Sequence, residues 1–94
     1  MFAIAFDLTI AKVEAIHPRG PSAAYSEIAQ TLGRYGFRRI QGSVYLDKDG
    51  DLANLSAAMA ALKALPWFPE CVRDVRGFRV ENWSDFTPYM KSNR

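Results

Sequence analysis

The first six positions of the chain are all apolar, and the seventh is Asp7. This run predicts a β-strand over residues 1–7. Because side chains alternate across a strand, large and small residues separate onto two faces: Phe2, Ile4 and Phe6 on one, Ala3, Ala5 and Asp7 on the other. Helices are expected on the large face. An acid at the end of a buried strand often carries chemistry; the alternative is an aspartate that caps the next turn.

Two later segments repeat apolar residues with the period of an α-helix. The first spans about residues 21–35, from Pro21 to the residue before Gly36. Its apolar face comprises Tyr25, Ile28, Ala29, Leu32 and Tyr35. The second follows a cap at Asp49 or Asp51 and is ended by Pro66. Its apolar face comprises Leu52, Leu55, Met59, Leu62 and Leu65.

The segment between the first strand and the first long helix is predicted to be a connection without a long regular element. It ends in His17-Pro18-Arg19-Gly20-Pro21, and two prolines and a glycine in five residues are typical of a turn. A short helix over residues 11–16 precedes it. His17 is therefore expected to be a solvated loop residue rather than a ligand.

Three more segments predict strands. The second strand spans about 37–41 and ends at Gly42, and the third spans about 43–47. Alternation in the third places Val44 and Leu46 on one face and Ser43, Tyr45 and Asp47 on the other. The last strand, over about 71–80, is rich in charge, as edge strands often are.

The order strand, helix, strand, strand, helix, strand predicts the fold. With right-handed crossovers it gives an α+β, ferredoxin-like βαββαβ plait: a four-stranded antiparallel sheet with two helices on one face. The first and third strands are central, and the second and fourth lie at the edges. We expect a single domain over residues 1–94 with a short C-terminal tail at about 83–94.

In this topology, polar residues come together at the end of the sheet where the first strand finishes. We call this end of the sheet the rim. The first strand runs antiparallel to both neighbours, so Asp7 is expected near residues 41–43 and 71–74. The second strand is expected to end at the same rim and to bring Arg38 and Arg39 within range. A carboxylate beside arginine stays ionised at neutral pH, and arginine binds phosphate bidentately.

The sheet face without helices raises a separate expectation. Ala3, Ala5, Ser43 and Tyr45 are expected on it, and they do not resemble a solvated surface. A second copy of the chain is the economical cover, with Ala3 and Ala5 as the dimer face. A two-fold axis would then bring two Asp7 carboxylates together, where they could hold a divalent cation or divide acid and base roles.

Composition narrows the class of protein. The chain has 94 residues, 49% of them hydrophobic, a net charge of +2 and one cysteine. A single cysteine forms no internal disulfide, and Cys71 is expected to be a half-buried strand residue rather than a nucleophile. Neither a signal peptide nor a membrane span is expected, so the predicted location is cytoplasmic with no membrane partner.

The motifs of the chain resemble those of the virulence-associated protein D (VapD) family. The resemblance covers nearly the whole chain. It is carried by Phe6-Asp7-Leu8, Gly36-Phe37, Gln41-Gly42-Ser43-Val44-Tyr45, Trp67-Phe68, Val72-Arg73-Asp74-Val75-Arg76 and Ser84-Asp85-Phe86-Thr87.

That family is similar to the small CRISPR-associated nucleases of ferredoxin-like fold. Those nucleases carry an Arg-x-Gln-x-Ser-Val-aromatic motif, which is matched here by Arg39, Gln41, Ser43, Val44 and Tyr45. The resemblance implies a dimeric endoribonuclease, the toxin of a toxin–antitoxin pair with a small antitoxin protein as partner, and Asp7 as its functional acid. The loop His17-Pro18-Arg19-Gly20 departs from the family pattern, so no role passes to His17.

The leading hypothesis is an endoribonuclease with Asp7 and Ser43 as catalytic residues. RNA would be held by Arg38, Arg39, Gln41, Tyr45, Arg73 and Arg76, with Tyr45 stacking on a base. Two mechanisms stay open: Mg²⁺ held by Asp7 carboxylates shared across a dimer activates water, or Asp7 deprotonates the ribose 2′-hydroxyl without a metal.

The alternative hypothesis is a catalytically inactive dimer that binds nucleic acid or acts as a scaffold. Asp7 would then pair with Arg39 or Arg73 as part of a structural salt-bridge network. A third hypothesis, a ligand pocket between two sheets, is disfavoured because the alanine face leaves little room.

Overall fold

The computed structural model describes residues 1–93. Its strands are β1 (Phe2–Leu8), β2 (Arg38–Gln41), β3 (Val44–Asp47) and β4 (Val72–Arg79). Its helices are α1 (Ile10–Ile16), α2 (Gly20–Gly33), α3 (Leu52–Ala64), α4 (Phe68–Cys71) and α5 (Thr87–Lys91). The two long predicted helices correspond to α2 and α3. None of the helices in the described residues is long and apolar enough to cross a bilayer.

The four strands form one antiparallel sheet in the order β2-β3-β1-β4. β1 and β3 are therefore central and β2 and β4 are edges, as the order of elements predicted. β1 pairs with β3 from Phe2 to Ala5 and with β4 from Phe2 to Leu8. The predicted fold class, an α+β ferredoxin-like plait, is confirmed.

The helices pack on the sheet face that carries the large residues of β1. Ile4 and Phe6 are buried there with apolar residues of the two long helices, such as Ile28 and Leu62. Gly77 of β4 lies beneath α3, since a Cβ at Gly77 would come within 2.9 Å of a Met59 side-chain carbon. One hydrophobic core thus fixes the helical layer, and we call the opposite side of the sheet the open face.

In β3, the side chains that face the core are not the ones that we predicted. Antiparallel partners share a face, and Tyr45 is paired with Ile4, whereas Leu46 is paired with Ala3. Tyr45 is therefore only 3% exposed, with its ring centre 6.1 Å from that of Phe6. Its burial raises the pKa of its hydroxyl. The prediction that Tyr45 lies on the open face is wrong, because both faces of β3 carry apolar residues and alternation does not say which one packs.

The tail after β4 covers one end of the open face. The Val80 N–H donates to the Met1 carbonyl (2.8 Å) at the β4 edge, while Trp83 lines a groove with Leu46 near the β2 edge. The chain crosses the sheet between these points, and Ala3 and Leu46 are only 1% and 4% exposed. The expectation that a second copy of the chain covers this face is therefore wrong at this end. Ala3 is consequently not available as a dimer contact.

His17 is buried, although we expected a solvated loop residue. Its Nδ1 accepts from the Arg19 backbone N–H (3.1 Å), and its Nε2 lies 3.1 Å from Glu27 Oε2. The Trp67 indole donates to Glu27 Oε1 (3.0 Å) and packs edge-on against the imidazole. The hydrogen bonds from Trp67 and then from His17 lower the pKa of Glu27. This cluster joins the α1–α2 connection to the α3–α4 connection, a long-range contact that local sequence does not reveal.

Cys71 is fully buried at the end of α4, directly before β4. Burial raises the pKa of its thiol, which therefore stays protonated and unreactive at neutral pH. This agrees with a packing role rather than a nucleophilic one, although the residue ends a short helix instead of lying in a strand.

Candidate functional site

The rim is built around an irregularity between β1 and β4. Leu8 is opposite Val72 and Asp7 is opposite Asp74, so Arg73 is one residue more than the ladder needs. Such a β-bulge lets a side chain point where regular alternation would not allow it. Here it places Arg73 against Asp7.

Asp7 forms an ion pair with Arg73. Both the Nε and one terminal nitrogen of Arg73 donate to Asp7 Oδ2, at 3.1 and 2.8 Å. The bonds to Asp7 raise the pKa of the Arg73 guanidinium, first through hydrogen bonding and then through charge. The Asp7 and Arg73 side chains are 55% and 68% exposed, so substrate can reach the pair. Within residues 1–93, Asp7 Oδ1 accepts no hydrogen bond from the protein.

Sequence analysis missed a second carboxylate at this site, Asp74. Asp74 is the antiparallel partner of Asp7, and partner side chains leave the sheet on the same face. Its two oxygens each lie 3.2 Å from the Nε of Arg76. Like charges opposite each other repel, and here an arginine accompanies each carboxylate. The signal that could have revealed this was the register of β4 against β1, which depends on the bulge.

Ser43 and Gln41 complete the rim on its other side, as predicted. The Ser43 carbonyl accepts from the Phe6 N–H (3.1 Å), which places Ser43 across the sheet beside the end of β1. Gly42, with a φ of +27°, makes the reversal between β2 and β3. Gln41 is exposed at the end of β2. A hydroxyl and an amide therefore lie at the same edge as the Asp7–Arg73 pair.

Arg38 and Arg39 do not reach the rim, contrary to our prediction. Arg38 is opposite Leu46 and Arg39 is opposite Tyr45, so they lie level with Ala3 and Ile4 at the far end of β1. Strand spacing and rise put Arg38 about 16 Å from Asp7 along the sheet. We expected both arginines to lie close to Asp7 because β2 ends at the rim. They lie at the start of β2, however, and therefore at the end of the sheet opposite the rim.

The rim carries two carboxylates, Asp7 and Asp74, and carboxylate oxygen is the kind of ligand that a hard cation prefers. The described residues contain no cluster of three or more His, Cys, Asp or Glu side chains that could hold a metal ion. Mg²⁺ binds through one or two carboxylates plus water and substrate phosphates, so Asp7 with a second carboxylate is chemically sufficient. Asp7 and Asp74 are the candidate ligands within one chain.

Comparison with known proteins gives matches over nearly the whole chain. Residues 1–87 match the family model described as CRISPR associated protein Cas2. The chain is 55% identical over 92 residues to "Endoribonuclease VapD homolog" of Neisseria gonorrhoeae, covering 98% of this chain and all of that protein. It is 47% identical over 92 residues to "Endoribonuclease VapD" of Haemophilus influenzae, again covering 98% of this chain and all of that protein. The chain therefore belongs to the Cas2 family and, within it, to the VapD proteins.

Proposed function

We propose that this protein is an endoribonuclease, a hydrolase of RNA phosphodiester bonds, with Asp7 as its acid–base residue. The observation that carries the proposal is the state of the Asp7 carboxylate. Arg73 holds Oδ2, while Oδ1 is left without a protein hydrogen bond within the described residues. A fixed carboxylate with one open oxygen beside a guanidinium suits a general base next to a phosphate. Relatives named endoribonuclease match nearly the whole chain.

The proposed reaction uses the ribose itself as nucleophile. Asp7 Oδ1 takes the proton of the 2′-hydroxyl, and the 2′-oxygen attacks the adjacent phosphorus. The bond from phosphorus to the 5′-oxygen breaks, and the leaving 5′-oxygen takes a proton from water. The products are a 2′,3′-cyclic phosphate and a 5′-hydroxyl end.

The remaining residues of the rim position the phosphate. Arg73 uses two of its N–H groups on Asp7, and its other N–H groups are free to bind a phosphate oxygen. Arg76, Gln41 and the Ser43 hydroxyl would supply further donors from neighbouring strands. We assign Ser43 to the catalytic group because it lies beside the end of β1.

Mg²⁺ is the proposed cofactor for a second route at the same site. Bound by Asp7 and a further carboxylate, of Asp74 or of a second copy's Asp7, the ion would supply an activated water and leave a 5′-phosphate. Incubation of the purified protein with labelled RNA, in Mg²⁺ and in chelator, followed by analysis of the product ends, separates the two routes. The absence of any cleavage in both conditions would contradict the proposed function.

Replacement of Arg73 by alanine is expected to weaken RNA binding and to reduce its salt dependence. One lost phosphate contact on a single strand changes the slope of log K against log salt by about 0.7. Binding isotherms at several salt concentrations measure this slope. Arg34→Ala, which removes an exposed arginine at the end of α2, is the matched control and should leave the slope unchanged. Equal slopes for parent and Arg73→Ala would remove the phosphate role of Arg73.

We further propose that the active form is a homodimer, or a higher homo-oligomer built on it, joined through the uncovered part of the open face. Support comes from the residues exposed there near the rim. Ala5 and Val44 are half-buried partners on that face. Small residues on a sheet face allow the backbone of a second copy to approach closely.

The substitution Ala5→Arg is therefore expected to convert the dimer to a monomer, because it would bury an unpaired charge in the contact. Sedimentation at micromolar concentration measures the change. Ala57→Arg, on the exposed side of α3, is the control and should leave the oligomeric state unchanged. A monomeric parent protein under the same conditions would contradict the proposed dimer.

The resemblance to the VapD family supports one further proposal, that the protein is the toxin of a toxin–antitoxin pair with a small antitoxin protein. A toxic ribonuclease should arrest growth of the cells that express it, in proportion to its cleavage of RNA.

The competing function is a catalytically inactive dimer that binds nucleic acid or acts as a scaffold. The Asp7–Arg73 ion pair is the observation that favours it, since such a pair can serve structure alone. Its high exposure argues for a small structural effect. The two functions differ in the response to Asp7→Asn, which is treated in the Discussion.

A further inference from the structure

Two neighbouring grooves lie along the edge strand β2, away from Asp7. The first has a volume of about 690 Å³ and is lined by Arg38, Arg39, Lys48 and Trp83, among others. The second, of about 540 Å³, lies between the end of β2 and the tail residues from Ser84 to Lys91. Ile40 and Trp83 line both grooves. The grooves are therefore adjacent, and together their linings extend from the start of β2 to Gln41 at the rim.

The first groove carries three cations that form no ion pair within residues 1–93. Within residues 1–93, the ion pairs are His17–Glu27, Arg73–Asp7 and Arg76–Asp74, so Arg38, Arg39 and Lys48 take part in none. All three side chains are exposed. Their positive charge is available to an anionic ligand.

Two acidic residues also line this groove, and one of them is already committed to the protein. Asp47 is 6% exposed and accepts from Asn54 Nδ2 (2.8 Å) and from the Asp49 N–H (3.3 Å). Asp49 is exposed beside Lys48. The groove thus carries three cations against two carboxylates, of which only Asp49 is exposed to solvent.

Trp83 supplies the second feature of the groove, an accessible aromatic ring. Its side chain is 42% exposed, whereas Trp67, the other tryptophan, is 5% exposed within the helical layer. An aromatic ring beside a line of unpaired cations is the arrangement with which proteins hold single-stranded nucleic acid. The ring stacks on a base, and the cations follow the phosphates.

We propose that this groove is a second RNA subsite, in which Trp83 stacks on a base while Arg38, Arg39 and Lys48 bind the adjacent phosphates. Its ligand is single-stranded RNA whose chain continues past Ile40 and Gln41 to Asp7. Asp7 lies about 16 Å from Arg38 along the sheet. The proposal rests on the proposed ribonuclease function for its choice of ligand. It assigns Arg38 and Arg39 to holding the strand at a distance from the reacting bond.

Tryptophan fluorescence tests the subsite directly. Titration of Asp7→Asn protein, which should not cut its ligand, with oligoadenylate about 12 nucleotides long is expected to quench the emission. The quench should disappear in Asp7→Asn/Trp83→Phe, because the remaining Trp67 is buried in the other layer. A titration in which RNA binds but the emission of Trp83 stays unchanged would overturn the proposal.

Affinity supplies the second measurement. Trp83→Ala should weaken binding of the same oligoadenylate by about 5- to 100-fold, and Trp83→Phe should weaken it much less, because phenylalanine still stacks. The loss should be larger for this RNA than for a dinucleotide, which cannot span both sites. The paired change Arg38→Ala/Arg39→Ala should lower the salt slope by about 1.4, and Lys12→Ala/Lys63→Ala, on exposed helix positions, should not.

Equal affinities of parent and Trp83→Ala, or equal effects of the groove and control pairs, would overturn the subsite. Because these are binding measurements, they are independent of cleavage. A protein that binds through Trp83 but never cuts RNA keeps the subsite and loses the proposed ribonuclease function. A protein that cuts RNA but binds it with no dependence on Trp83 keeps the ribonuclease function and loses the subsite.

Discussion

Replacement of Asp7 by asparagine is expected to lower RNA cleavage by at least about 100-fold, because the amide cannot take the proton of the attacking hydroxyl. Asparagine keeps the size of the side chain and one acceptor oxygen, so it preserves the strand and its neighbours. RNA affinity should hold or rise, since the repulsion between carboxylate and phosphate is removed. The melting temperature should hardly change, because the Asp7–Arg73 pair is largely exposed.

The same variant separates catalysis from a structural role. If Asp7 served only to hold Arg73, Asp7→Asn would melt at a lower temperature and still cut RNA at the rate of the parent. Expression in growing cells adds a further comparison, since the parent should arrest growth and Asp7→Asn should not. Glu14→Gln, which neutralises an exposed acid of α1 outside the rim and the grooves, is the control for loss of one negative charge.

Replacement of Gly50 by alanine is expected to destabilise the fold by about 2–4 kcal/mol, with a fall in melting temperature of about 10–20 °C. A Cβ at Gly50 would overlap Asp47 Oδ2 and lie 2.6 Å from Asn54 Nδ2. The hydrogen bond between Asp47 and Asn54 would therefore break, and the buried Asp47 carboxylate would lose its side-chain donor. Thermal melting followed by circular dichroism measures the effect.

Gly33→Ala is the matched control for this change. Gly33 lies at the end of α2, and a Cβ there would meet no atom within 4 Å. Alanine also has the higher helix propensity, so Gly33→Ala should be neutral or slightly stabilising. Equal melting temperatures for Gly50→Ala and the parent would mean that the Asp47–Asn54 contact does not determine the β3–α3 connection.

The sequence carried enough information to predict the fold and the position of Asp7. Period-two alternation identified β1, helical periodicity identified α2 and α3, and the order of these elements left one common topology. That topology alone placed Asp7 next to Ser43 and the start of β4. These inferences succeeded because they depend on local patterns and on chain connectivity.

The facing of β3 and the missed Asp74 both depend on how distant strands pair, and alternation alone does not state which face of a strand packs. Val44 and Leu46 are apolar, and so is the body of Tyr45, so either face of β3 could have joined the core. The bulge at Arg73 shifts the register of β4 and brings Asp74 opposite Asp7. Neither feature has a local signature in the sequence, because both are decided by pairing between distant strands.

The burial of His17 was missed for a related reason. Its partners are Glu27, on the next helix, and Trp67, which comes from the far end of the α3 segment. Prolines and glycine around His17 correctly indicated a turn, but a turn is exposed only where nothing packs on it. Long-range packing therefore overrode the local prediction.

The central claim is that Asp7 activates the ribose 2′-hydroxyl at the rim, and one chimeric substrate tests it most directly. An RNA with a mapped cleavage position is compared with the same RNA carrying a single 2′-deoxyribose at that position, and the product ends are identified by mass spectrometry. The account predicts cleavage of the all-ribose strand to a 2′,3′-cyclic phosphate and a 5′-hydroxyl, and no cleavage at the deoxyribose. Cleavage of both strands at the same rate, leaving a 5′-phosphate, would contradict it.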